Sequence, residues 1–172
     1  MKTTKPRVCF LTNSFFPAVG GGESHALALS CALRRREIDV WILTRRFKFS
    51  LPAIDDVYGV PVRRIAFPSS PRWGKYLMLP YVYKALFSLK ENYDIIYVCG
   101  LRVLGIVAVA AAKKLGKICI LRAEANGEMS GAFIWDSPGG TIKGIKKKLS
   151  NWFIPVSYTH LRAHETPEHL VC

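Results

Sequence analysis

Residues 7–12 (RVCFLT) form a short apolar run rich in β-prone side chains, and they deliver the chain directly into a polar, glycine-rich stretch over 13–22. So brief a run, bounded this way, reads as a buried strand with a loop at its carboxyl end. Residues 23–36 then carry Ala26, Leu27, Leu29, Ala32 and Leu33 at helical spacing. Glu23 stands at the amino end of that segment and Arg34, Arg35 and Arg36 at the carboxyl end, and both placements suit a helix dipole. Residues 38–44 (IDVWILT) are apolar again, with β-branched and aromatic bias, so the opening predicts a strand, a helix and a second, parallel strand.

The alternation then repeats. Residues 45–71 are basic and less regular, with a turn and short strand over 59–65 (GVPVRRI). A helix is expected over 75–90, with Pro80 near an end or at a kink, followed by a strand over 94–99 (DIIYVC). An Ala-rich helix over 103–115 closes at Gly116, and a strand follows over 117–122 (KICILR). A glycine-rich loop (123–140), a lysine-rich helix (141–150) and a last strand (151–156) complete the series. The fold class is therefore α/β: a Rossmann-like, doubly wound, mostly parallel sheet with helices on both faces, whose ligands lie at the carboxyl ends of its strands. The domain is expected to span 1–157. Residues 158–172 have no apolar period, hold three of the four histidines, and resemble translated adapter sequence found at the ends of unrelated sequences, so they are set apart as a non-native tail.

Half of the 172 residues are hydrophobic and 22% are charged, which excludes disorder for most of the chain. Lys and Arg number 25 against 12 Asp and Glu, and the resulting +13 attracts phosphates, anionic lipid or nucleic acid. The five cysteines show no Cys-x-x-Cys spacing, and four lie in apolar runs, which suits a reducing compartment. No signal peptide or membrane-spanning run is read, and a cytoplasmic location is expected.

Phe15 to His25 carries the sharpest chemical signal. Gly20, Gly21 and Gly22 allow a ligand close to the backbone at a helix amino terminus, where free amides suit an anion or a sugar hydroxyl. A tight turn that needs glycine only for its shape is the alternative. His25 occupies the third position of a dinucleotide-type G-x-G-x-x-G, and no Gly-Lys-Ser/Thr follows, so neither a nicotinamide nor an ATP loop is read. Glu23 and His25 join the glycines as candidate substrate-binding residues. Arg122, Glu124, Asn126 and Glu128, just after a strand, can hydrogen-bond sugar hydroxyls or form a plain solvated loop. Arg63 and Arg64 can pair with an acidic neighbour instead of a ligand and are left outside the site. His160, His164, Glu165, Glu168 and His169 lack zinc-ligand spacing, and no metal is implied.

In these residues the chain resembles the N-terminal half of glycosyltransferase family 4 enzymes. The resemblance rests on Pro17, Gly20, Gly21, Glu23 and Thr44, then Gly59-Val60-Pro61-Val62 with Arg63-Arg64, Asp94-Ile95-Ile96-Tyr97-Val98, Leu121-Arg122-Ala123-Glu124 and Gly127-Glu128. Two departures stand out: Glu37-Ile38 where the family often has Gly-His, and Cys99-Gly100 where many members carry a histidine. The resemblance implies a GT-B enzyme that transfers a sugar from a nucleotide-sugar donor to a glycan or lipid-linked acceptor with retention, this half holding the acceptor. The donor, a substrate rather than a cofactor, is expected to bind mainly through a C-terminal domain outside this chain, leaving the chain alone inactive. No catalytic residue is assigned. Lys143, Lys146, Lys147 and Lys148, with Ile142, Ile145, Leu149, Trp152 and Phe153, suit peripheral contact with the inner face of an anionic membrane. No nucleic-acid recognition pattern is present. A non-catalytic module binding a glycan or an anionic surface is the competing reading.

Overall fold

The computed structural model describes residues 5–66, 74–100 and 103–123, all within one compact unit, Met1–Met129. The expected loop over 123–140, the helix over 141–150, the strand over 151–156 and the tail lie outside the described residues, apart from Ala123. The element order is β1 (Val8–Leu11), α1 (Gly21–Arg35), β2 (Val40–Arg45), β3 (Ile54–Val57), β4 (Val60–Ile65), α2 (Gly74–Ser88), a 3-10 turn (Lys90–Asn92), β5 (Ile95–Cys99), α3 (Val103–Leu115) and β6 (Ile118–Arg122). One six-stranded sheet results, in the order β3-β4-β2-β1-β5-β6. Every pairing is parallel except that of β3 with β4.

β1 and the first four residues of β2 are unbroken apolar runs because helices cover both their faces. Val8 and Phe10 face α1 together with Val40, Ile42, Val60 and Val62. Cys9, Leu11, Trp41, Leu43, Ile96 and Val98 pack on the other side with Leu86 of α2 and Ala108 and Ala111 of α3. Phe10 is fully buried against Tyr97, ring centroids 4.7 Å apart, and truncating it to Ala would cost about 3–5 kcal/mol.

Two expectations need correction. The irregular segment before β4 contains a strand: β3 pairs antiparallel with β4 through the two-residue turn Tyr58-Gly59. Both turn residues have positive φ (53° and 79°), the twist that a two-residue hairpin needs. Pro80 lies well inside α2 rather than near its end. It is exposed, on the side of the helix where water can take the hydrogen bond that the missing amide forfeits.

The helix ends show how backbone groups are satisfied. α3 closes at Gly116 (φ 63°), with the Lys117 amide donating to the Ala112 carbonyl at 2.9 Å. α1 closes by the same device, the Glu37 amide reaching the Arg34 carbonyl (2.8 Å) and the Ile38 amide the Leu33 carbonyl (3.1 Å). There the left-handed position falls on Glu37, φ 60°.

At the amino ends of β1, β5 and β6 the polar groups converge. Asp94 accepts from the Arg7 amide (3.0 Å), Nε (3.1 Å) and Nη2 (2.9 Å), with Lys117 Nζ 3.7 Å away. The Arg7 hydrogen bonds, above all, hold the Asp94 carboxyl down at about 2.

Candidate functional site

After β1 the chain builds β2, β3 and β4 to one side of it, then crosses back to lay β5 on the other. The reversal opens a crevice beyond the carboxyl ends of β1 and β5, the place where doubly wound sheets hold ligands. The loop leaving β1 enters α1 here. Gly20 is the N-cap, no side chain caps the helix, and the Ser24 amide donates to the Gly20 carbonyl at 3.0 Å. The first-turn amides thus form an uncapped positive helix end.

The two glycines at this end differ. A Cβ on Gly20 would stand 2.6 Å from Glu23 Oε2, so a side chain there would push the carboxylate off the place it takes over the glycine. Gly21 has neither a positive φ nor any atom within 4 Å of where its Cβ would be. Nothing among the described residues demands a glycine there. Glu23 also accepts a hydrogen bond from the Ser14 hydroxyl, which ties the loop's start to the first turn of α1. Its place is that of a brace.

His25, one turn into α1, brings Nε2 within 3.3 Å of the Tyr97 hydroxyl of β5, the two rings stacked with centroids 6.5 Å apart. Burial, and secondarily the Arg122 charge, push the imidazole pKa down, so the neutral ring is favoured. Arg122, the last residue of β6, is in register with Cys99, and its carbonyl accepts from the Gly100 amide at 3.1 Å. Gly20, Gly21, Gly22, Glu23, His25 and Arg122 are thus all placed at the carboxyl-end side of the sheet. Glu124, Asn126 and Glu128 lie outside the described residues.

Beneath the loop runs a polar row. Thr44 of β2 is in register with Arg64 of β4, and Thr12 follows β1 one step beyond the Leu11–Leu43 pair. All three are buried, and among the described residues Thr12 Oγ1, Thr44 Oγ1 and Arg64 Nε have no hydrogen-bond partner. Of the two readings open for Arg64, the structure shows the pairing with an acidic neighbour: its Nη1 lies 2.7 Å from Asp55 Oδ2.

A family model described as Glycosyltransferase Family 4 matches residues 19–161. The chain belongs to glycosyltransferase family 4. The match begins one residue before Gly20 and runs to residue 161, four residues into the segment set apart as a tail. The catalytic domain of starch synthase IV from Arabidopsis thaliana, solved with ADP and acarbose, superposes with a TM-score of 0.54 at 15% identity, covering 69% of this chain and 33% of that one. Sucrose-phosphate synthase from Thermosynechococcus elongatus gives a TM-score of 0.63 at 15% identity, covering 86% of this chain and 40% of that one. The family 4 chain therefore has the Rossmann-like architecture of GT-B glycosyltransferases and spans less than half the length of these two solved proteins. No curated protein sequence matches it.

Sequence reasoning on this family 4 domain did not single out Tyr97, which meets the candidate residue His25. The signal was its parity: in β5 it stands opposite Phe10 of β1 and so faces α1.

Proposed function

We propose that this chain is the acceptor-side half of a retaining glycosyltransferase that moves a sugar from a nucleotide-sugar donor to a glycan or lipid-linked acceptor. The observation that carries the reading is Gly21. It sits at an uncapped helix amino terminus, at the crevice of the sheet, with free space where a side chain would be and no reason of its own fold for lacking one. Such a position suits close approach of a phosphate or a sugar hydroxyl to backbone amides. Amides fixed in advance at that point stabilise the charge that develops on a departing diphosphate.

His25 and Tyr97 add a neutral imidazole and a phenol within hydrogen-bonding distance of each other, groups that orient acceptor hydroxyls by donating and accepting. Arg122 adds positive charge nearby. The donor's remaining contacts belong to a second, C-terminal Rossmann-like domain, and the transfer calls for no resident cofactor. The reading places the parent enzyme in the cytoplasm, with the basic stretch over 143–153 resting on the inner face of an anionic membrane; the net charge of +13 supports that placement.

The test is a donor panel. A protein containing both halves is expected to release nucleoside diphosphate from one of the common nucleotide sugars in the presence of acceptor, while residues 1–157 alone release none. Turnover by residues 1–157 alone would overturn the assignment as half of a site. Glycan or vesicle binding by the two-domain protein without release from any donor would favour the non-catalytic module instead.

A further inference from the structure

We propose that Arg64 is a positioning residue for this transfer: its buried guanidinium grips the Phe16 carbonyl and so fixes where the glycine loop and the first turn of α1 stand at the crevice. The inference rests on the functional reading above and adds to it a residue that touches no ligand.

The Arg64 side chain is 1% exposed. Its fork reaches three acceptors on two elements. Nη1 donates to Asp55 Oδ2 (2.7 Å) and to the Pro52 carbonyl (3.3 Å), both on the approach to or within β3, and Nη2 donates to the Phe16 carbonyl (2.9 Å) in the loop after β1. Phe16 stands four residues before Gly20, and the span between is short and held. Phe15 is fully buried, its ring edge-on to that of Phe16 at 5.2 Å, and the Ala18 amide donates back to the Phe15 carbonyl. Ser14 and Glu23 brace the loop to α1, but neither ties it to the sheet's edge. Arg64 supplies that tie in hydrogen bonds, beside the edge-on contact of the Phe16 ring with Tyr58 of the hairpin turn at 6.0 Å.

A purely stabilising role explains this arrangement poorly. Burying a paired charge is a weak source of stability, and an apolar side chain of similar volume often serves as well or better. What a guanidinium adds is several donors in fixed relative directions, so the position of Phe16 is referred to two points on the hairpin at once. A lysine offers a point charge on a flexible stem and would lose that reference.

The experiment uses the two-domain protein with Arg64→Met, Arg64→Lys and Asp55→Asn, and reads amide exchange over residues 13–24, Tm, and kcat and KM for the donor. In Arg64→Met the amides of 13–24 are expected to exchange about tenfold faster than in the parent, with β1 and β5 unchanged. Its kcat is expected to fall by about 10- to 100-fold, the cost typical of small misplacements, with donor KM altered less than about threefold. Asp55→Asn keeps the bond to Phe16, so its exchange and kcat should stay within about threefold of the parent even where Tm falls as far. If both variants lose Tm together and keep kcat per folded molecule, the proposal is overturned. Should the Met variant not fold, Arg64→Lys must show the same selective loosening of 13–24, and its failure to do so is equally fatal. Exchange needs no turnover. Selective loosening in a parent that transfers no sugar from any donor would therefore sink the enzymatic reading, whereas normal transfer with unmoved exchange would sink the positioning role alone.

Discussion

The two ends of the sheet are built from the same strands and treat polar groups in opposite ways. At the amino ends Asp94 is saturated by three bonds from Arg7 with Lys117 beside it, and α1 closes with its last carbonyls paired. At the carboxyl ends α1 begins uncapped, Gly21 stands open, and the buried hydroxyls of Thr12 and Thr44 have no partner among the described residues. The ion pair at the amino ends is satisfied by the fold, while the buried threonine hydroxyls at the carboxyl ends keep hydrogen-bonding capacity to spare, as does Ser30 within α1. The contrast predicts that substitutions at one end change stability and at the other change activity.

The largest expected effect tests the open end. Gly21→Val in the two-domain protein should lower kcat/KM for transfer by about 100-fold, the scale of losing preorganised amides, while Tm scarcely moves. A matching collapse of Tm would erase the contrast. At the paired end, Asp94→Asn should cost about 1 kcal/mol, discounted because the side chain is 41% exposed, with kcat unchanged. The sign follows from the carboxyl's low value of about 2, below its unfolded value: the stabilisation is present above pH 4 and lost as the pH falls toward 2. Urea unfolding of parent and variant should converge over that interval.

Glu37→Gly sharpens the comparison from the stable side. Relieving a left-handed glutamate should raise stability by up to about 1 kcal/mol, seen as a higher urea midpoint at constant m-value, while the Lys5–Glu37 pair it removes is solvent-screened and contributes little. The smallest effect is at His25. Its lowered pKa means that the neutral ring's contribution is present above the ordinary imidazole range and lost as the pH falls below it. His25→Gln should therefore show a shallower decline in Tm between pH 7.5 and 5 than the parent.

Where an element's own residues decide its form, the sequence was readable. α3 was expected over 103–115 with Gly116 as its stop, and those are its bounds, because an Ala-rich run followed by a left-handed residue needs no outside help. The strand-to-helix junction was legible for the same reason, its glycines ending the apolar run, although α1 takes up Gly21 and Gly22 as its first residues rather than starting at Glu23. β3 was not, since I-D-D-V has no apolar alternation and its Tyr58-Gly59 turn lacks the Asn or Asp that usually marks one; its strand character comes from pairing with β4. Arg64 was readable as a partner of an acid, and Asp55 is that acid, but its reach to Phe16 is a contact across 48 residues that no local pattern encodes. Tyr97 met His25 only through the crossover that sets β5 beside β1.

The β3 hairpin also bears on how copies of this protein meet. Among the described residues β3 lies at the margin of the sheet, where an unpaired strand invites a neighbour to add itself edge to edge. Here that margin is four residues long and carries two consecutive aspartates, Asp55 turned in to Arg64 and Asp56 exposed, on a chain otherwise crowded with lysine and arginine. Two such margins brought together antiparallel set acid against acid. The short acidic border that was invisible as a strand in the sequence thus carries the charge pattern that disfavours edge-to-edge addition of a second copy.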